Sequence, residues 1–316
     1  MVSILVPCFN HEKYIEDCIK SLIAQDYRDI ELIIYDDCST DSSFEIIKDW
    51  EERLIERFSN VLIHKNNLNL GVVKNLNAMI DASNGEYIKI IASDDMLTSN
   101  SISNLVDAAK SIDADIIFSN VAFIPETIRI NEINISKLKL RYYAKPKDGF
   151  NLTGDLCGNN YISAPGTFIP KKTFEKYGKF DEEYCLEDFE FYLRVSTTGC
   201  IRYIESVTAL YRQNNNSLSK FDLSKVGIKR HQKFCRDKIK IFSKYEKYAS
   251  KEQTELFFNS ELDSSIGIND KEMIKEIISI MKNKGLSITA YNYFRIPVVN
   301  IGVYPIIKKV KHYFKR

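Results

Sequence analysis

Two adjacent carboxylates stand at the end of an apolar run. Residues 86–97 read Glu-Tyr-Ile-Lys-Ile-Ile-Ala-Ser-Asp-Asp-Met-Leu, so Asp94 and Asp95 follow a strand pattern built on Ile88, Ile90, Ile91 and Ala92. That strand is apolar on both faces, as in the middle of a sheet covered on both sides. Neighbouring anions repel unless they are solvated or share a cation. Oxygen ligands of this kind suit a hard divalent ion, Mg2+ or Mn2+, that holds a substrate phosphate at the same time. The competing reading is a cap for the next helix, near Ser99 or Ser101. A second acidic turn, Asp36-Asp37-Cys38-Ser39-Thr40-Asp41, closes another apolar run, and a third acid pair, Glu187-Asp188, opens a helical pattern. Ligands of open α/β sheets sit beyond the carboxyl ends of the strands. Two strands delivering acidic turns to one edge make either a site or a coincidence of two caps.

The elements that must position these acids can be read in order. Residues 2–6 are a short apolar strand ending at Pro7-Cys8-Phe9-Asn10, and a helix pattern follows through Tyr14, Ile15, Cys18, Ile19, Leu22 and Ile23. Residues 30–35 are a second strand, after which Ser39 or Thr40 is placed to cap a helix carrying Phe44, Ile46, Ile47 and Trp50. Strands at 61–64, 88–92 and 115–119 continue the series, with helices over 72–82 and around Leu105, Val106 and Ala109. Strict alternation of this kind predicts a parallel sheet with right-handed crossovers. Residues 125–160, with Pro125, Pro146 and Gly149, read as a long excursion over the site. An extended segment at 163–169 and helices at 173–177 and 186–195 follow, the last turning Leu186, Phe189, Tyr192 and Leu193 to the core. From Lys225 the chain becomes helical and basic, which sets a module boundary near Phe221.

The bulk properties narrow the field. The chain has 316 residues, 44% hydrophobic and 28% charged, an ordinary globular balance that supports a large core. A net charge of +1 argues against a general nucleic-acid binder. Seven cysteines lie scattered without a CxxC pair or zinc spacing, and their odd number fits a reducing cytoplasm. The chain opens directly on a strand pattern, so no export signal is expected, and no apolar run reaches the roughly 18 residues that span a bilayer.

The ordered motifs resemble the inverting glycosyltransferases of family 2, with the GT-A fold. The resemblance covers about residues 2–218. It rests on Val6-Pro7-Cys8-Phe9-Asn10, Tyr35-Asp36-Asp37-Cys38-Ser39-Thr40-Asp41, Asn69-Leu70-Gly71-Val72-Val73-Lys74-Asn75, Asn84-Gly85-Glu86-Tyr87, Ser93-Asp94-Asp95, Gly178-Lys179-Phe180-Asp181 and Glu187-Asp188 with Arg194. It implies a Rossmann-like α/β fold, a mostly parallel central sheet flanked by helices, with a C-terminal helical extension. The GT-A catalytic domain would be 1–220, with nucleotide-sugar binding over about 1–120 and an acceptor or lid part over about 121–220; 221–316 would be a helical, basic module.

The resemblance also implies a nucleotide-sugar donor, by preference a UDP-sugar, a divalent metal (Mn2+ or Mg2+) and a single displacement at the anomeric carbon. Inversion needs one base for the acceptor hydroxyl and something to neutralise the diphosphate leaving group. Asp95 matches the metal ligand and Asp94 a contact to sugar or ribose, beside Ser93. Asp37, with Pro7, Phe9 and Asn10, matches the positions that hold the nucleotide base, Phe9 offering a stacking face. Lys74 matches a basic residue near the donor, Asp188 the catalytic base and Glu187 its neighbour. Each has a plainer counterpart: Phe9 as core, Asp36 and Asp37 as turn formers, Lys74 as a solvated lysine, Glu187 and Asp188 as first-turn acids. His11, His64 and His231 show no partner signal and are read as structural.

Two departures stand out. Many relatives carry Tyr-Arg-x-His after the last strand; here Tyr211-Arg212-Gln213-Asn214 places Asn214 where the histidine is usual. The Gln-x-x-Arg-Trp run of processive synthases is missing, which points to one sugar per acceptor. After Glu276 there is no acid, and Lys282, Lys284, Arg295, Lys308, Lys309, Lys311, Lys315 and Arg316 alternate with tyrosines and phenylalanines. Such a tail over 286–316 suits an anionic membrane surface or a helical cap on the domain. The expected partners are therefore the donor, a glycan or polyprenyl-linked acceptor of surface-polysaccharide assembly, and that membrane surface, with no nucleic acid. The expected location is cytoplasmic, peripheral to the inner face of the membrane. The alternatives are an inactive nucleotide-sugar-binding protein and a nucleotidyltransferase, which would open on a Gly-rich basic loop.

Overall fold

The computed structural model describes residues 1–213 and 224–300. They form two compact units. The first comprises Met1–Leu152, Tyr161–Glu183 and Glu190–Asn215; the second comprises Thr153–Asn160, Tyr184–Phe189 and the chain from Asn216 onward. The C-terminal helices thus gather two segments, 153–160 and 184–189, that the boundary near Phe221 assigns by sequence to the first module.

The first unit carries strands β1 (Val2–Cys8), β2 (Ile30–Asp36), β3 (Asn60–Lys65), β4 (Tyr87–Ile90), β5 (Met96–Leu97), β6 (Ile116–Pro125), β7 (Lys139–Leu140), β8 (Thr167–Pro170) and β9 (Ile201–Gln213). Its helices are α1 (Ile15–Ile23), α2 (Ser43–Asp49), α3 (Glu51–Arg57), α4 (Val72–Ala82), α5 (Ser101–Ser111) and α7 (Lys171–Tyr177), and most of α8 (Glu187–Ser196). The second carries α6 (Thr153–Gly158), the first residues of α8, α9 (Lys225–Tyr245), α10 (Lys251–Gly267), α11 (Lys271–Asn283) and α12 (Ala290–Asn300).

One sheet runs in the order β3-β2-β1-β4-β8-β6-β9-β5, with β7 on β6. β1 pairs in parallel with β2 and β4, and β2 with β3. This half matches the alternating pattern and buries Val2, Ile4, Val6, Ile30, Leu32 and Ile34 completely against α1 and its neighbours. The far half does not alternate. β8 enters antiparallel between β4 and β6, and β5 lies antiparallel on β9, while β6 and β9 are parallel. The reason is sequence distance: β8 arrives only after an insertion of more than forty residues, long enough to bring it in from the opposite direction.

Three local expectations are corrected. The strand at 88–92 ends at Ile90, and it is not apolar throughout, because Lys89 is fully buried and donates to the carbonyls of Pro165 (2.5 Å) and Thr167 (3.1 Å). The helix after β2 is preceded by Ser42, not Ser39 or Thr40, whose groups are spent in the turn. Residues 125–160 are not a bare loop but hold short 3-10 turns, β7 and α6.

In the second unit, Phe242 stacks on Phe257 and both meet Phe258 edge-on, and Leu262, Ile266, Ile274 and Ile277 are buried too. Gly154 lets α6 lie against the turn before α10, since a Cβ there would collide with the Tyr248 carbonyl. No helix among the described residues is long and apolar enough to cross a membrane.

Candidate active site

The parallel strands β1, β2 and β4 end at one edge, and the acids of the first unit gather there. The Asp37 N–H donates to the Cys8 carbonyl at 2.8 Å, which carries the β1–β2 pairing one step beyond the strands. Asp37 is nearly buried and both its oxygens are occupied. Oδ1 accepts from the Asn66 amide (2.9 Å) and the Leu70 N–H (2.8 Å), and Oδ2 from the Gly71 N–H (2.9 Å). Burial pushes its carboxyl upward, but these donors outweigh it and hold Asp37 below its ordinary value. Gly71, at φ +85°, turns the chain into α4 just past this contact. Asp37 therefore fixes the 66–71 loop against the end of β2. Asp36 gives one oxygen to the Ser39 N–H, and its other oxygen is buried without a hydrogen bond.

Asn10 takes a left-handed backbone (φ +53°), a conformation asparagine tolerates. Its N–H donates to Ser39 Oγ and its side-chain oxygen accepts the Thr40 N–H, both at 2.9 Å, so the β1 and β2 turns are laced together. Phe9, at 43% exposure, is no core residue and presents its ring at the edge. Pro7 is half-buried opposite Tyr35. Lys74 stands exposed on α4, the plain solvated placement.

Past β4 the chain turns at 92–95, the Asp95 N–H donating to the Ala92 carbonyl at 3.0 Å. Asp95 is 2% exposed, and its Oδ1 accepts the Arg212 N–H at 2.8 Å. Burial first, then the Asp94 charge, pushes its carboxyl well above the ordinary range. The Asp94 side chain keeps 15% exposure. Of the two carboxylates, Asp94 is thus the one that reaches solvent, while Asp95, the metal ligand expected from sequence, is tied into the fold.

His11, read from sequence as a partnerless structural residue, belongs to this edge. Its Nδ1 lies 2.7 Å from the buried Ser93 hydroxyl and 4.0 Å from Asp94 Oδ1. Arg212 is fully buried. Its Nε donates to the Asp94 carbonyl at 2.9 Å, and Nη1 to the carbonyls of Glu126 (2.9 Å) and Ile128 (2.7 Å). Tyr14 lies under this guanidinium and donates to Glu126 at 2.9 Å. The sign of this anchor in the sequence is the Tyr211-Arg212 pair near the end of β9, next to the departure at Asn214. Asn214, in the histidine position, lies outside the described residues.

Glu187 and Asp188 belong to the second unit. α8 begins at Glu187, so both stand in its first turn, and the Phe189 N–H donates to Asp188 at 2.6 Å. Both residues keep some solvent contact, yet protein surrounds the carboxyl groups. Burial, reinforced by the charge of Asp188, pushes Glu187 up to about 8; burial also raises Asp188, against the Phe189 N–H and the Lys238 charge. A carboxyl held high in this way is suited to take a proton near neutral pH. The Gly178–Asp181 motif is structural: Arg194 donates to the carbonyls of Tyr177 and Lys179 and pairs with Glu190.

Among the described residues no three His, Cys, Asp or Glu side chains come together to hold a metal. The donors at the 93–95 turn are too few for a protein-only cage. They match a hard ion that takes one or two carboxylate oxygens and fills its other positions from phosphate and water.

The sequence model described as glycosyl transferase family 2 matches residues 3–164. Glycosyltransferase GlyG of Streptococcus pneumoniae is 28% identical over 260 residues, 77% of this chain and 79% of that protein. Several other curated relatives are matched over only about a third of their own length. Among solved structures, Staphylococcus aureus TarS 1-349 in complex with UDP-GlcNAc superposes with a TM-score of 0.56 at 16% identity, covering 86% of this chain and 83% of that one. Mannosyltransferase PcManGT from Pyrobaculum calidifontis, in complex with GDP-Man and Mn2+, gives 0.53 at 15% identity, covering 100% and 87%. At these identities the structural likeness shows the fold, a GT-A type.

Proposed function

The chain belongs to glycosyl transferase family 2 and is a glycosyltransferase, and from that premise we propose that it moves one sugar from a UDP-sugar to a glycan or lipid-linked glycan acceptor, with inversion, in bacterial surface-polysaccharide assembly. The nucleotidyltransferase alternative gives way to the family match. The UDP-sugar reading draws on TarS, crystallised with UDP-GlcNAc, and the surface-polymer reading on its name, a poly(ribitol-phosphate) beta-N-acetylglucosaminyltransferase.

The observation that carries the reading is the pairing of two built features on one sheet edge: the Asp37-braced 66–71 loop with exposed Phe9 at the neighbouring strand end, and the Ser93–Asp95 turn locked by Arg212. In this reading Phe9 stacks on the nucleotide base and the 66–71 loop flanks it, with Pro7 and Asn10 shaping the turn. Asp94 is the first oxygen ligand for a Mn2+ or Mg2+ ion, with Asp95 behind it as the group that fixes its backbone. When bound, that ion neutralises charge on the diphosphate leaving group without moving a proton. Asp188 takes the proton of the acceptor hydroxyl, and Glu187 beside it keeps the pair's affinity for a proton high. Lys74 serves the donor only as a peripheral charge. The exposed Tyr291 and Tyr293 of α12, with the basic sequence that follows, support a membrane-facing role for 286–316, of which 301–316 lie outside the described residues.

The test is metal-dependent release of nucleoside diphosphate across a panel of nucleotide sugars. Loss of release in Asp94→Asn, and loss of transfer in Asp188→Ala with acceptor present, is the expected pattern. Full transfer by Asp188→Ala would remove the base assignment. Metal-independent release, or none from any donor, would remove the donor reading and favour an inactive binding protein.

A further inference from the structure

Residues 133–147 hold five cations, Lys137, Lys139, Arg141, Lys145 and Lys147, and no acid, in a chain whose net charge is only +1. All five are exposed. The apolar residues between them are turned the other way. Leu138 and Leu140 pack, with Ile128, Ile130 and Ile133, on a satellite core of Met96, Ala122, Ile124 and Leu210. The segment is thus pinned to the sheet with its charge facing out. Met96 in that core is the residue after Asp95.

The sheet register gives the distance from the acid turn. Met96 pairs with Leu210, Leu210 with Ala122, and Ala122 with Leu140. Three strand spacings put Leu140, between Lys139 and Arg141, roughly 14 Å from Met96 along one row. That is too far for cations serving the diphosphate of the donor at the Asp94 turn. It is within reach of a chain whose end is at that turn and whose body crosses β9 and β6.

We propose that the 137–147 strip is the docking surface for the acceptor, and that the acceptor is a phosphate-bearing glycan chain. Clustered cations on a low-charge protein attract a polyanion over a Debye length and orient it as it arrives. Lys139 and Arg141 flank Leu140 on one side of an extended segment, spaced about 6.7 Å apart, a repeat suited to successive charges on an extended polymer. Tyr143, 77% exposed, supplies an aromatic face for a sugar ring. A lipid bilayer is the poorer occupant, because the strip turns Leu138 and Leu140 inward, whereas interfacial helices insert their apolar side. Lys145 is partly neutralised by Asp148 at 3.1 Å and adds least. This inference rests on the transferase reading for the word acceptor, but not for the binding itself.

The experiment measures binding of end-labelled inorganic polyphosphate to the full chain by fluorescence anisotropy at two salt concentrations. The expected result is salt-sensitive binding that weakens at least about tenfold in K137E/K139E/R141E, by an intermediate factor in K137Q/K139Q/R141Q, and not at all on deletion of 301–316. Release of nucleoside diphosphate from the donor should stay at the wild-type rate in both strip variants. Equal binding by wild type and the charge-reversed protein would overturn the proposal. So would loss on tail deletion, or a strip variant that loses only its attachment to phosphatidylcholine–phosphatidylglycerol vesicles. A wild type that binds polyphosphate but hydrolyses no nucleotide sugar would sink the transferase reading alone.

Discussion

Arg212 and Asp95, 117 residues apart, are joined by a 2.8 Å hydrogen bond from the arginine's own backbone N–H, while the arginine side chain bonds the carbonyl of the neighbouring Asp94. One residue thus holds the acid turn by main chain and side chain together. Replacing Arg212 by Ala leaves three partly buried carbonyls without this donor and Asp17 with Arg129 as its remaining cation. The expected loss is roughly 3–5 kcal/mol of stability, together with donor binding. Urea denaturation and isothermal titration with UDP measure the two; Arg212→Lys, which keeps the charge but not the fork, should recover little of either.

Asp37 acts as a brace, so Asp37→Ala should loosen the 66–71 loop at a cost of about 2 kcal/mol and raise donor KM with less effect on kcat. Because its folded-state carboxyl lies below the ordinary 3.8, its contribution is present above that pH and is lost as pH falls through and below it. The difference between wild type and Asp37→Asn in thermal unfolding should therefore shrink as acid is added. A difference independent of pH would contradict the brace.

His11 touches the buried Ser93 through Nδ1 only. Asn at this position can reproduce a group near Nδ1, and Gln one near Nε2. If His11 serves only to tie Ser93, His11→Asn restores the Tm and donor KM that His11→Ala loses. If the ring's far nitrogen meets the donor, His11→Asn restores Tm alone and donor KM stays raised by roughly tenfold, a difference of about 1.4 kcal/mol.

Glu187 gives the opposite pH signature to Asp37. Its folded-state carboxyl is raised from 4.5 to about 8, so its contribution favours the folded chain at low pH and is withdrawn as pH climbs between those values. Glu187→Gln should flatten stability over that window and leave the variant more stable than wild type at pH 9. Unchanged pH dependence in chemical denaturation would mean that the Glu187 carboxyl is not held high.

The parts of the site nearest the strand ends were legible, because an apolar run that stops at Asp36-Asp37 or Asp94-Asp95 already says that carboxylates meet an edge. The division of labour between Asp94 and Asp95 was not, since it depends on a strand that arrives more than a hundred residues later. His11 was missed for the same reason: its partner is 82 residues away, and a single histidine in a helix approach carries no local sign of it. Lys89 interrupts a strand pattern read as apolar on both faces, and only the carbonyls of Pro165 and Thr167 make its burial intelligible. The antiparallel entry of β8 was hidden because alternation fixes direction only between elements joined by short crossovers.

The fastening of the acid turn from β9 has a consequence for how the enzyme comes into being. On the ribosome, β1 to β4 emerge first and can pair among themselves, but the turn after them stays slack until some 120 further residues have been made. Nucleotide capture should therefore switch on late and abruptly as nascent chains lengthen past residue 213, so that affinity for the donor reports completed synthesis of this unit.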